Sequence, residues 1–93
     1  MDTETEKDAL TVLREQVTAI DCEIIDAVNR RIEVVQRIWA HKDEHGLGKI
    51  DPERERWLRE HLTATNRGPL SDEGAQEIHA AVLDLTKREV GRG

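Results

Sequence analysis

From about Lys7 to about His45 the chain contains neither proline nor glycine, and no other segment constrains the fold as strongly. Taking about 100° per residue, Leu13, Val17, Ile20, Ile24, Arg31, Val35, Ile38 and Lys42 fall within roughly 40° of one line. That is the pattern of one amphipathic helix. Its stop is "HGLGK", where Gly46 and Gly48 act as C-terminal breakers. A helix of about 38 residues is roughly 57 Å long. A compact globule of 93 residues is only roughly 32 Å across. The apolar seam would therefore meet water along much of its length, and a second copy of the chain is the simplest cover. The expectation is an all-α fold, with three helices per chain and a very long first helix, in an intertwined helical homodimer.

Two shorter helices follow. "DPERER" offers Asp51 as N-cap, Pro52 at the first helical position and Glu53 for the dipole. This helix carries Trp57, Leu58 and Leu62 and fades at "TATNRGP", where Asn66, Gly68 and Pro69 mark a turn. Ser71, followed by Asp72 and Glu73, caps the third helix, whose expected apolar side is Ala75, Ile78, Val82 and Leu85. Ala, Glu, Lys, Leu and Arg make up 42 of the 93 residues, a composition typical of long helices, and Tyr and Phe are absent. The chain reads as one domain, 1–93, with ends frayed over about 1–6 and 91–93.

A net charge of −6 and a pI near 5.2 argue against nucleic acid and anionic membranes as partners. No apolar run approaches the roughly 18 residues of a membrane span, and none resembles a signal peptide. The single cysteine, Cys22, has no internal disulfide partner. These features lead us to expect a soluble cytoplasmic protein.

Arg31 and Lys42 are the anomaly, because they are cations on the seam. Burying an unpaired cation costs several kcal/mol. Three arrangements reduce that cost: snorkelling of the long side chain, a protein carboxylate, or an anionic ligand between helices. Arg14 points about 100° off the seam, which suits a pocket in a partner chain better than one in its own. Arg54 and Glu55 fall on the first turn of the second helix, beside Asp51. A pocket of Arg31, Lys42, Arg54 and a partner's Arg14 would be strongly positive on an acidic background. It would suit a small ligand with more than one carboxylate. His41 and His45 have a metal-sharing spacing, but no third ligand is evident and no metal site is expected. Cys22 lies about 180° from Arg31 and reads as a packing residue; Trp39 and Trp57 read as core or interface anchors.

"LREQVTAIDCEIIDAVNRRIEVVQRIWAHK", followed by "IDPERE", resembles the all-helical, AroQ-type chorismate mutases. The shared features are an L-R-x-x-I/L-x-x-I/L-D opening, an arginine, a lysine eleven residues later, and a D-x-x-R-E start to the second helix. The resemblance implies that Arg14 binds a substrate carboxylate across the subunit boundary and Arg31 binds the second carboxylate. It implies that Lys42 bonds the ether oxygen and a carboxylate, that Asp51 and Glu55 contact the ring hydroxyl, and that Arg54 is the neighbouring basic residue. In the third helix it aligns Thr86 with a common serine. It aligns Val90 with the Gln or Glu that supplies a second ether-oxygen donor. The implied reaction is the pericyclic rearrangement of chorismate to prephenate, in aromatic amino acid biosynthesis by the shikimate pathway, with no cofactor. The valine at 90 resembles short actinobacterial-type members, which are weak alone and are activated by docking on a DAHP synthase. Three alternatives stay open at this level: an isochorismate pyruvate-lyase, a 4-amino-4-deoxychorismate mutase, and a non-catalytic helical dimerisation module.

Overall fold

The computed structural model describes residues 3–92, all of whose regular structure is helical. Helix α1 spans Thr3–Glu44, α2 spans Pro52–Thr65 and α3 spans Asp72–Arg92. Helix α1 starts about one turn before the expected Lys7 and ends one residue before His45. Residues 3–6 and 91–92, expected to fray, belong to helices; residues 1, 2 and 93, also expected to fray, lie outside the described range. No helix among the described residues is long and apolar enough to cross a membrane.

The helix ends follow from local chemistry. At the end of α1, Leu47 N–H donates to the Lys42 carbonyl (2.8 Å) and Gly46 N–H to the Asp43 carbonyl (3.3 Å). This is a Schellman arrangement, and it requires a left-handed residue between the two bonds. Gly46 supplies it, with φ of 65°. Asp51 caps α2, accepting from Arg54 N–H at 3.1 Å, with Pro52 in the first turn. Asn66 closes α2 and shapes the turn: its side chain accepts from Gly68 N–H (3.2 Å) and donates to the Leu70 carbonyl (2.7 Å). Ser71 Oγ accepts from Gly74 N–H at 3.0 Å and so starts α3.

The chain divides into two compact units, Met1–Arg30 and Arg31–Gly93, with α1 contributing to both. In the first unit every described side chain is exposed except that of Val28, and the seam residues Leu13, Val17, Ile20 and Ile24 are each more than half exposed. In the second unit α2 packs against α3. Among the described residues only His79, Thr86 and Val90 are buried, all on α3. This corrects the expected apolar side of α3. Ala75, Val82 and Leu85 are half-buried, but Ile78 is exposed, and the buried line runs through two polar residues instead. Thr86 tolerates burial because its hydroxyl is fully used, as described below.

The Ser71 cap lies outside the cation-lined region and tests the local account. Ser71→Ala is expected to lower stability by about 1 kcal/mol in urea unfolding, whereas Ser71→Asp keeps the cap and the midpoint. An unchanged midpoint in Ser71→Ala would show that the cap bond contributes nothing.

Candidate active site

Within the second unit, the C-terminal stretch of α1, the start of α2 and the second half of α3 enclose a cavity of about 290 Å³. Val35, Ile38, Trp39, Leu58 and Leu83 form its apolar wall. Arg31, Lys42, Asp51, Arg54, Glu55 and Thr86 all line it, together with Lys49 and Lys87. Five cations thus face two carboxylates, in a chain whose overall balance is acidic.

Each side chain is held by its element. Arg31 is half-buried, and its Nη1 donates to Thr86 Oγ1, joining α1 to α3. The Thr86 hydroxyl in turn donates to the Val82 carbonyl at 2.6 Å. Lys42 is half-buried, and its Nζ donates to the Lys49 carbonyl at 3.3 Å, across the α1–α2 connection. Asp51 spends one carboxylate oxygen on its capping bond. The Arg54 guanidinium lies over the Trp57 ring, 4.4 Å from its centroid, and that ring stacks on His61 at 4.7 Å. Glu55 pairs with Lys87 at 2.8 Å.

The ion pairs among the described residues are Lys49–Asp43, Lys87–Glu55 and Arg92–Glu89. Arg31, Lys42 and Arg54 take part in none of them. Among the described residues these three cations are therefore not offset by carboxylates; they meet a hydroxyl, a carbonyl and an aromatic face. Two of them are half-buried, where an unbalanced positive charge attracts anions most effectively. The cavity thus combines positive charge with an apolar wall.

Six of the eight residues singled out from sequence thus line one cavity. Arg14 belongs to Met1–Arg30, where it is exposed and its carbonyl accepts from Thr18 Oγ1 at 3.0 Å. Val90 is buried but lines a different cavity, with Gln36, Trp39, Ala40, Asp43, Lys49 and Gly91. Four lining residues were missed from sequence, Leu83 of the apolar wall among them. Lys49 stands over the Trp39 ring at 5.3 Å and pairs with Asp43 at 3.0 Å, Lys87 reaches Glu55, and Trp39, read as an anchor, walls the cavity. Lysines in an exposed connection and on a charged helix face carry no periodic signal that would have marked them. Among the described residues no three His, Cys, Asp or Glu side chains converge as a metal would require. The His41 and His45 rings lie 4.2 Å apart, tilted by 32°.

Among the described residues the chain is thus all-helical, with a cation-lined cavity within its second unit. Residues 13–90 match the family described as Chorismate mutase type II, and the chain belongs to that family. Two solved forms of the chorismate mutase from Thermus thermophilus are similar. Form I is 31% identical with a TM-score of 0.81, covering 84% of this chain and 98% of that one. Form II is 30% identical with a TM-score of 0.85, covering 90% and 96%. A bifunctional chorismate mutase/prephenate dehydratase from Stutzerimonas stutzeri is 30% identical over 86 residues, or 85% of this chain. The chain spans 23% of that curated relative's length.

A second cavity of about 460 Å³ in the same unit is mainly apolar, lined by Leu58, Leu62, Leu70, Ala75, Ile78 and Val82, with Arg31, Asn66 and His79. His79 is buried and its Nε2 has no hydrogen-bond partner. Burial holds the His79 pKa below its ordinary value, and Arg31 and Arg59 push it the same way, against a weaker opposing pull from Glu55. The folded chain thus resists protonation that the unfolded chain accepts near pH 6.5. The stability this contributes is present above about pH 6.5 and is lost as pH falls towards the folded-state pKa. Urea midpoints should therefore drop between about pH 7.5 and about pH 5.5, and the drop should be smaller in His79→Gln. Equal drops in the two proteins would remove His79 as the acid-sensitive group.

Proposed function

We propose that this chain rearranges chorismate to prephenate, working as a homodimer in which Arg14 of one copy completes the cavity of the other. The observation that carries the reading is the convergence of Arg31, Lys42 and Arg54, free of carboxylate partners, on a cavity that also presents Asp51 and Glu55. The reaction is unimolecular and needs no nucleophile. A catalyst for it must hold a dianion in its folded, reactive conformer and stabilise the charge that grows on the departing ether oxygen. In this reading Arg31 and the partner's Arg14 each take a carboxylate, because guanidinium matches that group two bonds at a time. Lys42 gives one of its N–H bonds to a neutral carbonyl, so its full charge and remaining donors are available to the ether oxygen. Glu55 and Asp51 accept from the ring hydroxyl.

The dimer is supported by each unit taken alone. In Met1–Arg30 the apolar seam has no cover, and in Arg31–Gly93 an apolar cavity lies open. The resemblance aligns Val90 with a second ether-oxygen donor, a role a valine side chain cannot fill, and here Val90 lines a different cavity. That supports a modest catalyst raised by docking on a DAHP synthase, which the activity assay tests by including or omitting that enzyme. Assays on chorismate, isochorismate and 4-amino-4-deoxychorismate decide the substrate. Turnover of chorismate to prephenate is expected; turnover of another substrate alone, or of none, would overturn the reading.

Removing one preorganised donor to a developing charge typically costs about 10²- to 10³-fold in rate. Lys42→Met keeps most of the stem and should lose about that much kcat, with a smaller change in KM. Near-normal kcat in Lys42→Met would eliminate charge stabilisation at this position.

Subunit sharing has its own test. Arg14→Ala and Lys42→Ala chains should each be inactive, and mixing them under exchange should restore activity, since one site of each heterodimer carries both native residues. Mixtures as inactive as the parents would place Arg14 outside the partner's site.

A further inference from the structure

Lys87 belongs to none of the roles above, yet it enters the cavity. It follows Thr86, which accepts a hydrogen bond from Arg31. One residue further along, Lys87 reaches across to α2 and places its Nζ 2.8 Å from Glu55 Oε1. Both side chains are about a third exposed, so the pair is screened only in part.

We propose that Lys87 is a positioning residue, holding the Glu55 carboxylate and cancelling its charge so that a dianionic ring can lie against it. The inference rests on the function proposed above. Glu55 brings a negative charge into a cavity meant for two more. Uncompensated, that charge opposes binding of any dianion, by an amount that grows as the cavity excludes water. Lys87 bonded to one carboxylate oxygen removes the repulsion and fixes the rotamer. The other oxygen remains free to accept from a substrate hydroxyl. Lys87 thus acts through Glu55 and not on the reacting bond, and its effect is the same in the ground state and the transition state.

The test is a kinetic cycle with the full chain: native, Lys87→Met, Glu55→Gln and the double variant, with Lys87→Arg as the conservative control. Lys87→Met should raise KM about tenfold and leave kcat within about threefold. Lys87→Arg should recover most of the loss. In the Glu55→Gln background, where there is no charge to cancel, Lys87→Met should change KM by less than about twofold. An equal KM increase in both backgrounds would mean that Lys87 touches substrate itself or merely supports the fold, and either overturns the proposal. So would an unchanged KM in Lys87→Met, or an arginine variant as impaired as the methionine one. If Lys87→Met does not fold by circular dichroism, Lys87→Gln takes its place in the cycle. A native chain inactive on all three substrates would remove the functional reading and this one with it, whereas an active native chain with a flat cycle would remove only the role of Lys87.

Discussion

The bond between Arg31 and Thr86 is the contact on which the site depends. A guanidinium on an apolar seam is tolerable only if its donors are used and its charge is not stranded. Thr86 satisfies one donor and is itself satisfied by the Val82 carbonyl, which lets a polar side chain occupy a buried position on α3. That one link ties α3 to the C-terminal part of α1. Thr86 and Lys87 then face the cavity, and Val90, one turn further on, faces the next one. A neutral partner also matters. A carboxylate in place of Thr86 would have quenched Arg31, and the cavity would have lost a cation that an anionic ligand can use.

Charge in this cavity is arranged by what each cation is denied. Arg31 meets a hydroxyl, Lys42 a carbonyl and Arg54 an aromatic face; each contact orients its cation without neutralising it. Lys49 and Lys87, by contrast, are paired with Asp43 and Glu55. The cavity therefore separates cations held ready for a ligand from cations that balance the protein's own acids. Fixed positive charge costs no reorganisation when negative charge develops beside it, and that is what the proposed rearrangement, which uses no nucleophile, would require.

The chain on its own buries very little. Among the described residues one apolar side chain, Val90, is buried, and fifteen large apolar residues are exposed. A domain of this size is already near the limit at which burial offsets chain entropy. An exposed apolar seam on a long helix therefore matters for stability as well as for shape, and it makes folding and assembly parts of one question.

The amino-acid sequence alone determined the elements and their ends. The unbroken 3.6-residue period of α1, the glycine at 46, the Asp51 and Ser71 caps and the Asn66 turn are all local chemistry, and local chemistry can be read without a partner in space. It also marked Arg31 and Lys42, because a cation at an apolar position breaks a pattern and so stands out. Nothing local distinguishes Lys49 or Lys87 from the other solvated charges on a strongly charged chain; only packing of α2 against α3 brings Lys87 to Glu55. For the same reason the buried positions of α3 are not the ones its apolar pattern picks out. Their polar members His79 and Thr86 lack an apolar signature, and Ile78 has one but remains exposed. Which face of a helix is buried depends on what the neighbouring helix offers to its polar groups, and that is decided by the tertiary structure.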